Sequence, residues 1–324
     1  MTIVFSLFLL TLLVVTAVAI VRTSDLFAAV MLSGIFSLML AATFFLFDAP
    51  DVALTEAAVG AGISTVLLLG ALSLTAASEH ASSRNRVLAL FVVITTTLTV
   101  IYATFDKPAF GDPAAPIHQH VAPWYFDTTR EAIDIPNVVT AVLASFRGYD
   151  TLGEVFVVFT AGIGVLFLLG SPGNKPRKSS ADARGLRHYL IPRMVGRMLI
   201  PFILLFALYV QFHGDFSPGG GFQAGAIFAA AMILYSLLEG EKRALAAVPS
   251  AWLHAMIAAG ALIYGGVGVV TMLLGGNFLD YSVLSQDPIA GQHLGIILIE
   301  AGVGITVAGV LLSVYHAFAA RDSS

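Results

Sequence analysis

The sequence predicts an all-α, polytopic integral membrane protein with about nine membrane-spanning helices, its N-terminus outside and its C-terminus inside. Three observations predict this. Of 324 residues, 58% are hydrophobic and only 11% charged, whereas a soluble domain carries about a quarter charged residues. The apolar residues gather into runs long enough to cross a bilayer core of about 30 Å, which takes roughly 20 residues at helical rise. The Lys and Arg residues fall almost entirely on alternate connections between those runs, and that asymmetry sets orientation.

The runs are 2–21, 26–47, 52–77, 87–105, 152–170, 194–213, 220–238, 250–274 and 291–318. The first lacks a basic start and a small-residue cleavage site, so it reads as a retained span and not as a signal peptide. Breaks fall at charge or proline: Arg22 to Asp25, Asp48-Ala49-Pro50-Asp51, Glu79 to Arg86, and Glu239 to Arg243. With the N-terminus outside, the inner connections hold 13 of the 16 basic residues, leaving only Lys107, Arg130 and Arg147 outside. Shifting the number of spans by one would destroy that alternation.

Two polar segments divide the chain. Residues 171–192 are basic and rich in turn formers, as expected of a cytoplasmic linker between a five-span and a four-span half. Residues 106–136 contain five prolines (108, 113, 116, 123 and 136) and read as an extended outer loop. The stretch 137–147 then fits a short amphipathic helix at the outer surface, stopped by Gly148. No internal repeat is evident, so an inverted-repeat carrier is not indicated.

Acids inside a membrane cost about 2.5–3.5 kcal/mol each at a helix centre, so each is a functional candidate. Glu300 lies about nine residues into the last run, near the expected midplane, with no capping role open to it. Glu56 is too deep in the third run to cap it, while Asp51 after Pro50 fits a helix cap. Asp150 and Glu154 share a helix face. Thr151-Leu-Gly-Glu154 equally fits a capping box, which leaves a purely structural role open for both acids. A carboxylate taken out of water holds its proton more tightly, and a sodium ion or a nearby positive group can displace it. Binding one or the other is the core of antiport. His293, two turns before Glu300, could relay protons; His213 and His254 read more simply as packed interfacial residues.

The string Pro218-Gly219-Gly220-Gly221-Phe222-Gln-Ala-Gly225 lacks the Gly-Lys-Ser/Thr ending of a phosphate loop. Its glycines suit a backbone break and close helix packing, as do Gly291, Gly295, Gly302 and Gly304. Cysteine is absent, which removes thiolate metal sites, iron–sulfur clusters and Cys nucleophiles. With Arg197, at the inner edge of the run 194–213, counted with the connection before it, no Lys or Arg falls inside any expected span, so the chain is not expected to pump protons alone. No catalytic triad, metal-ligand cluster or dinucleotide motif is present, so it does not read as an enzyme. Nothing in it points to a nucleic-acid partner, and no cofactor is implied beyond transported Na+ and H+.

These strings resemble those of the Mrp-type multisubunit cation/proton antiporters. Ala49-Pro-Asp-Val-Ala-Leu-Thr-Glu56-Ala-Ala-Val-Gly60, in residues 1–78, is similar to the three-span MbhD-like unit of the family's large MrpA protein. Arg147-Gly-Tyr-Asp150-Thr-Leu-Gly-Glu154, in 79–170, resembles the two-span MbhE-like unit of the same protein. His213-Gly-Asp-Phe-Ser-Pro-Gly-Gly-Gly-Phe222 and Gly291-Gln-His-Leu-Gly-Ile-Ile-Leu-Ile-Glu300, in 193–324, resemble the four-span MrpB protein. The resemblance implies a multi-pass subunit in a bacterial or archaeal cell membrane, in a complex that exchanges sodium for protons using the proton motive force. It implies ion-path roles for Glu56, Asp150 and Glu154. It also implies a functional or assembly role for the loop from Pro218 to Phe222. The long antiporter-like section that normally begins MrpA is not in this sequence, so a partner chain with buried Lys is expected beside it, with membrane lipid around both. Membrane-bound hydrogenases and related reductases use the same units, and that alternative stays open, as does a stand-alone carrier.

Overall fold

A computed structural model describes residues 2–79, 85–109, 111–169 and 190–322. Most of the expected linker, 171–189, lies outside the described residues. Among those described, nine helices are long and apolar enough to cross a membrane. They are α1 (Thr2–Arg22), α2 (Leu26–Leu46), α3 (Pro50–Leu72), α4 (Arg86–Thr104), α5 (Gly148–Leu169), α6 (Leu190–His213), α7 (Gly221–Glu239), α8 (Ser250–Leu273) and α9 (Pro288–Asp322). The nine-span, all-helical architecture is the expected one.

Local chemistry sets the helix starts. Asp25 caps α2, its Oδ1 accepting from the N–H groups of Phe27 (2.9 Å) and Ala28 (3.2 Å). Pro50 opens α3, where its missing N–H is not needed. Inside α3, residues Glu56–Ser64 form a π-helical turn, the wider winding that often marks functional positions. Helices α6 to α9 form one bundle, with α9 packed against α7 and α8 and also against α3 and α5. Glycine makes the close approach possible: a side chain on Gly302 would lie 2.7 Å from the Gly260 carbonyl oxygen, and one on Gly225 2.5 Å from that of Gly304. By contrast α4 buries none of its residues.

Several local expectations are corrected. Segment 106–136 is not an extended loop, because it contains helices Pro116–Gln119 and Val121–Ala132. Its prolines do not oppose this: Pro116 and Pro123 occupy first turns, where backbone N–H groups have no helical partner. The helix expected over 137–147 runs over Val138–Phe146, its second part π-helical, with Val139 and Leu143 exposed on one face. Its Ala141 and Ala144 are buried, and the Tyr281 hydroxyl donates to the Ala144 carbonyl at 3.0 Å. Gly148 does not stop it; Gly148 starts α5, with the Tyr264 hydroxyl donating to its carbonyl at 2.7 Å. Because α5 begins there, Thr151 is not a cap, and its hydroxyl donates to the Leu143 carbonyl at 2.7 Å. Helix α6 begins at Leu190, which adds Arg193 to the span and places Arg197, at the edge of the run 194–213, two turns inside it. The expectation of spans free of basic residues fails there.

Candidate functional site

The glycine loop, the starts of α3 and α7, and the segment before α5 converge at one end of the bundle. Asp51 is not a cap: Ala49 occupies that position. Its Oδ1 instead accepts from the Gly219 N–H at 3.0 Å and from Asn137 Nδ2 at 3.4 Å. Asn137 caps its own short helix through Oδ1 and shares its Nδ2 protons with the carbonyls of Gly214 and Ser217, each at 3.1 Å. Its backbone N–H donates to the Asp215 carbonyl at 3.0 Å, and the Thr140 hydroxyl to Gly214 at 2.8 Å. Gln223 Nε2 donates to the Thr55 hydroxyl at 2.7 Å, tying α7 to α3. Gly219 has φ +127, a backbone state that L side chains rarely adopt. Asn137 and Asp51 thus hold a turn that only glycine builds without strain.

Glu300 stands behind this loop. A side chain on Gly220 would come within 2.9 Å of its Oε1, and one on Gly214 within 3.3 Å of its Oε2, so two glycines frame the carboxylate. Gly221 packs on the Glu300 backbone. The carboxylates of Asp51 and Asp215 lie within electrostatic reach of Glu300. Because α7 begins at Gly221 and runs about 27 Å to Glu239, Glu300 sits level with one end of α7. The expectation of a midplane position is corrected. His293 Nε2 lies 2.8 Å from the Ile133 carbonyl; a carbonyl only accepts, so Nε2 carries the proton and donates. Nδ1 is then the nitrogen left for exchange. Half-buried Asp215 has its carboxyl pushed above the usual carboxylate range by burial, with the His293 charge opposing. Among the described residues, no three His, Asp or Glu side chains converge closely enough to hold a metal ion.

The other candidates stand apart from this junction. Glu56, within the π turn, folds back along Gly60, where Ser37 of α2 also approaches. Asp150 pairs with Arg147 at 2.5 Å, both half-exposed. Glu154 is exposed on α5, one turn further on, within electrostatic reach of Tyr264. The loop residues Pro218 to Phe222 are all at the junction, with Phe222 packed against the main core.

Sequence reasoning missed Asp51, Asp215, Asn137 and Gln223 as site residues. The signal for the first two was present, since each stands in a string singled out for its family resemblance. It also missed Glu239 at the opposite end of α7, which in sequence marks only a break between apolar runs. Glu239 is 4% exposed. It accepts two hydrogen bonds from Arg193 (3.0 and 3.1 Å), one from Arg197 (2.5 Å) and one from Arg243 (2.5 Å).

Comparison with known proteins gives this geometry a family. Residues 11–77 match the MbhD model and 83–183 the MbhE model, both built on MBH subunits, and 191–313 match the model for a domain related to the MnhB subunit of the Na+/H+ antiporter. A Staphylococcus aureus protein named antiporter subunit mnhB2 is 35% identical over 128 residues, which are 39% of this chain and 90% of that protein. The chain belongs to the Mrp-type antiporter subunits. A Rhizobium meliloti protein named as a K(+)/H(+) antiporter A/B subunit is 24% identical over 331 residues, covering 90% of this Mrp-type chain and 32% of that one. Among solved structures, the Mrp complex from Dietzia sp. DQ12-45-1b matches 98% of this chain and 35% of its own, with TM-score 0.78 and 28% identity. An archaeal membrane-bound sulfane sulfur reductase matches 71% of this chain and 96% of its own, with TM-score 0.55 and 28% identity. This Mrp-type protein thus spans about a third of the length of its A/B relative and of the Dietzia chain. It is a multi-pass membrane protein.

Proposed function

We propose that this protein serves a multisubunit monovalent cation/proton antiporter driven by the proton motive force, with Na+ the exchanged ion. Asp51, Asp215 and Glu300 form the mouth of an ion passage, and His293 is its proton relay through Nδ1. The observation that carries this is the Glu300 carboxylate, enclosed by two glycines and facing two further acids, with no Lys or Arg paired to it among the described residues. A carboxylate left without a fixed cation must find its partner in a mobile one. Glu56, Asp150 and Glu154 continue the passage along α3 and α5, and Pro218, Gly219, Gly220, Gly221 and Phe222 hold its mouth and dock the neighbouring elements. By the positive-inside rule, the Glu239 end faces the cytoplasm and the glycine loop faces out.

The chain works with other Mrp-type subunits, including a large antiporter-like one with buried Lys, in a bacterial or archaeal membrane, and transports without catalysing a reaction. Exchange measured in membrane vesicles as sodium-driven proton movement should be lost in Glu300→Gln while the complex still assembles. A wild-type rate in that variant would sink the proposal. The likeness to the sulfane sulfur reductase favours a second reading, in which the same chain carries ions for a redox complex. Extraction in mild detergent separates the two: redox subunits in the particle would move the chain to that class.

A further inference from the structure

The arginine end of the bundle carries charge that ion exchange leaves unused. Three guanidinium groups surround one carboxylate, so the cluster has two positive charges in excess. Neighbouring Glu241 and Lys242 cancel and leave that excess unchanged. The hydrogen bonds to Glu239 engage four N–H groups, whereas three arginines offer fifteen. The side chains remain 27%, 51% and 47% exposed for Arg193, Arg197 and Arg243. Glu239 is buried beneath them, so it holds the three forks in place without covering their outer edges.

The surroundings identify what meets those edges. On the same stretch of α6, Leu190, Ile191, Met194 and Met198 are each at least 65% exposed, and they present an apolar face to acyl chains. Trp252, 68% exposed at the start of α8, stands at the same end, where aromatic side chains mark the headgroup level. The chain leading into α6 adds Lys175, Arg177, Lys178, Arg184 and Arg187 against the single acid Asp182, so its sequence supplies no surplus of anions to neutralise the cluster.

We propose that Arg193, Arg197 and Arg243 seat the phosphate of an anionic phospholipid, with Glu239 as the positioning residue that fans the guanidinium groups. Guanidinium forks match phosphate oxygens in pairs. Basic pockets between spanning helices at the cytoplasmic face take acidic headgroups in this way.

The test uses the full chain, extracted with its partners in mild detergent and exchanged against equimolar phosphatidylglycerol and phosphatidylcholine. Lipid retained per chain is then counted by mass spectrometry. Phosphatidylglycerol should be retained about tenfold over phosphatidylcholine, a comparison that needs no variant. Arg197→Gln and Arg243→Gln should each lower its retention about fivefold, because Arg193 still pairs with Glu239 in both. Arg130→Gln, at the opposite end, should leave retention unchanged. Equal retention of the two lipids, or no loss in either cluster variant, overturns the proposal. Displacement of the lipid by millimolar inorganic phosphate would assign the seat to free phosphate and overturn it as a lipid site.

Discussion

Glu239, the last residue of α7, and Glu300, on α9 beside the first turn of α7, are acids at opposite ends of the bundle, and their surroundings are inverse. Glu239 is enclosed by three arginines. Glu300 is enclosed by glycines and faces Asp51 and Asp215. Removing an acid from water is costly at either end. At one end fixed cations of the same chain offset that cost. At the other no Lys or Arg among the described residues pairs with the acid, which in the proposed function leaves the site to an ion that comes and goes. In that reading the counter-charge, and not burial, separates a structural acid from a transporting one.

The contrast can be broken in several ways. Its largest consequence is functional: Glu300→Gln should cut exchange by at least about tenfold with unchanged thermal stability, whereas Glu239→Gln should leave exchange near normal in the protein that survives. Stability should move the other way. Glu239→Gln strands three guanidinium groups and should destabilise by on the order of 2 kcal/mol, below the ~3–5 of a fully buried pair because Arg197 and Arg243 are half in solvent. Thermal unfolding in detergent reads this, and equal midpoints for the two variants would collapse the distinction. Asn137→Ala removes the donor shared by Asp51, Gly214 and Ser217, and should lower stability by about 1–2 kcal/mol while slowing exchange. Gly220→Ala sharpens the picture, since the added methyl meets Glu300 Oε1 at 2.9 Å; exchange should fall while assembly, read by pull-down, does not.

The smallest effect concerns pH. Burial raises the Asp215 carboxyl, so the folded chain binds that proton more tightly than the unfolded one. This contribution is complete at acid pH and lost as pH climbs through the raised value. Asp215→Asn should therefore hold a flatter thermal midpoint than wild type as pH rises above the ordinary carboxylate range. Parallel curves would remove Asp215 from the cluster.

The nine spans were legible because each is a long apolar run, a signal that no tertiary contact can hide. Glu300 was legible for the same reason, as an acid inside such a run. Asp51 was not, because Pro50 beside it makes a cap the simplest explanation, and its true partner is Gly219, 168 positions away. Asn137 stood in a segment with the pattern of an ordinary short helix, while its side chain spans three elements. The proline-rich segment misled because proline opposes helix interiors and not first turns. The π turns of α3 and before α5 left no periodic trace, since apolar residues surround both.

The bond from Asp51 to Gly219 has one more consequence. It joins the part of the chain matched by the MbhD model to the part matched by the MnhB model, and the mnhB2 relative consists almost wholly of that second part. What would be a contact between two polypeptides is here a contact within one. Ribosomal synthesis then fixes the ratio of the two parts at one to one. The covalent tether keeps them at an effective concentration of order millimolar, independent of dilution. A protease cut within 171–189 would abolish that advantage. In the cut protein, Asn137→Ala should release the C-terminal part on dilution, where the intact chain merely loosens.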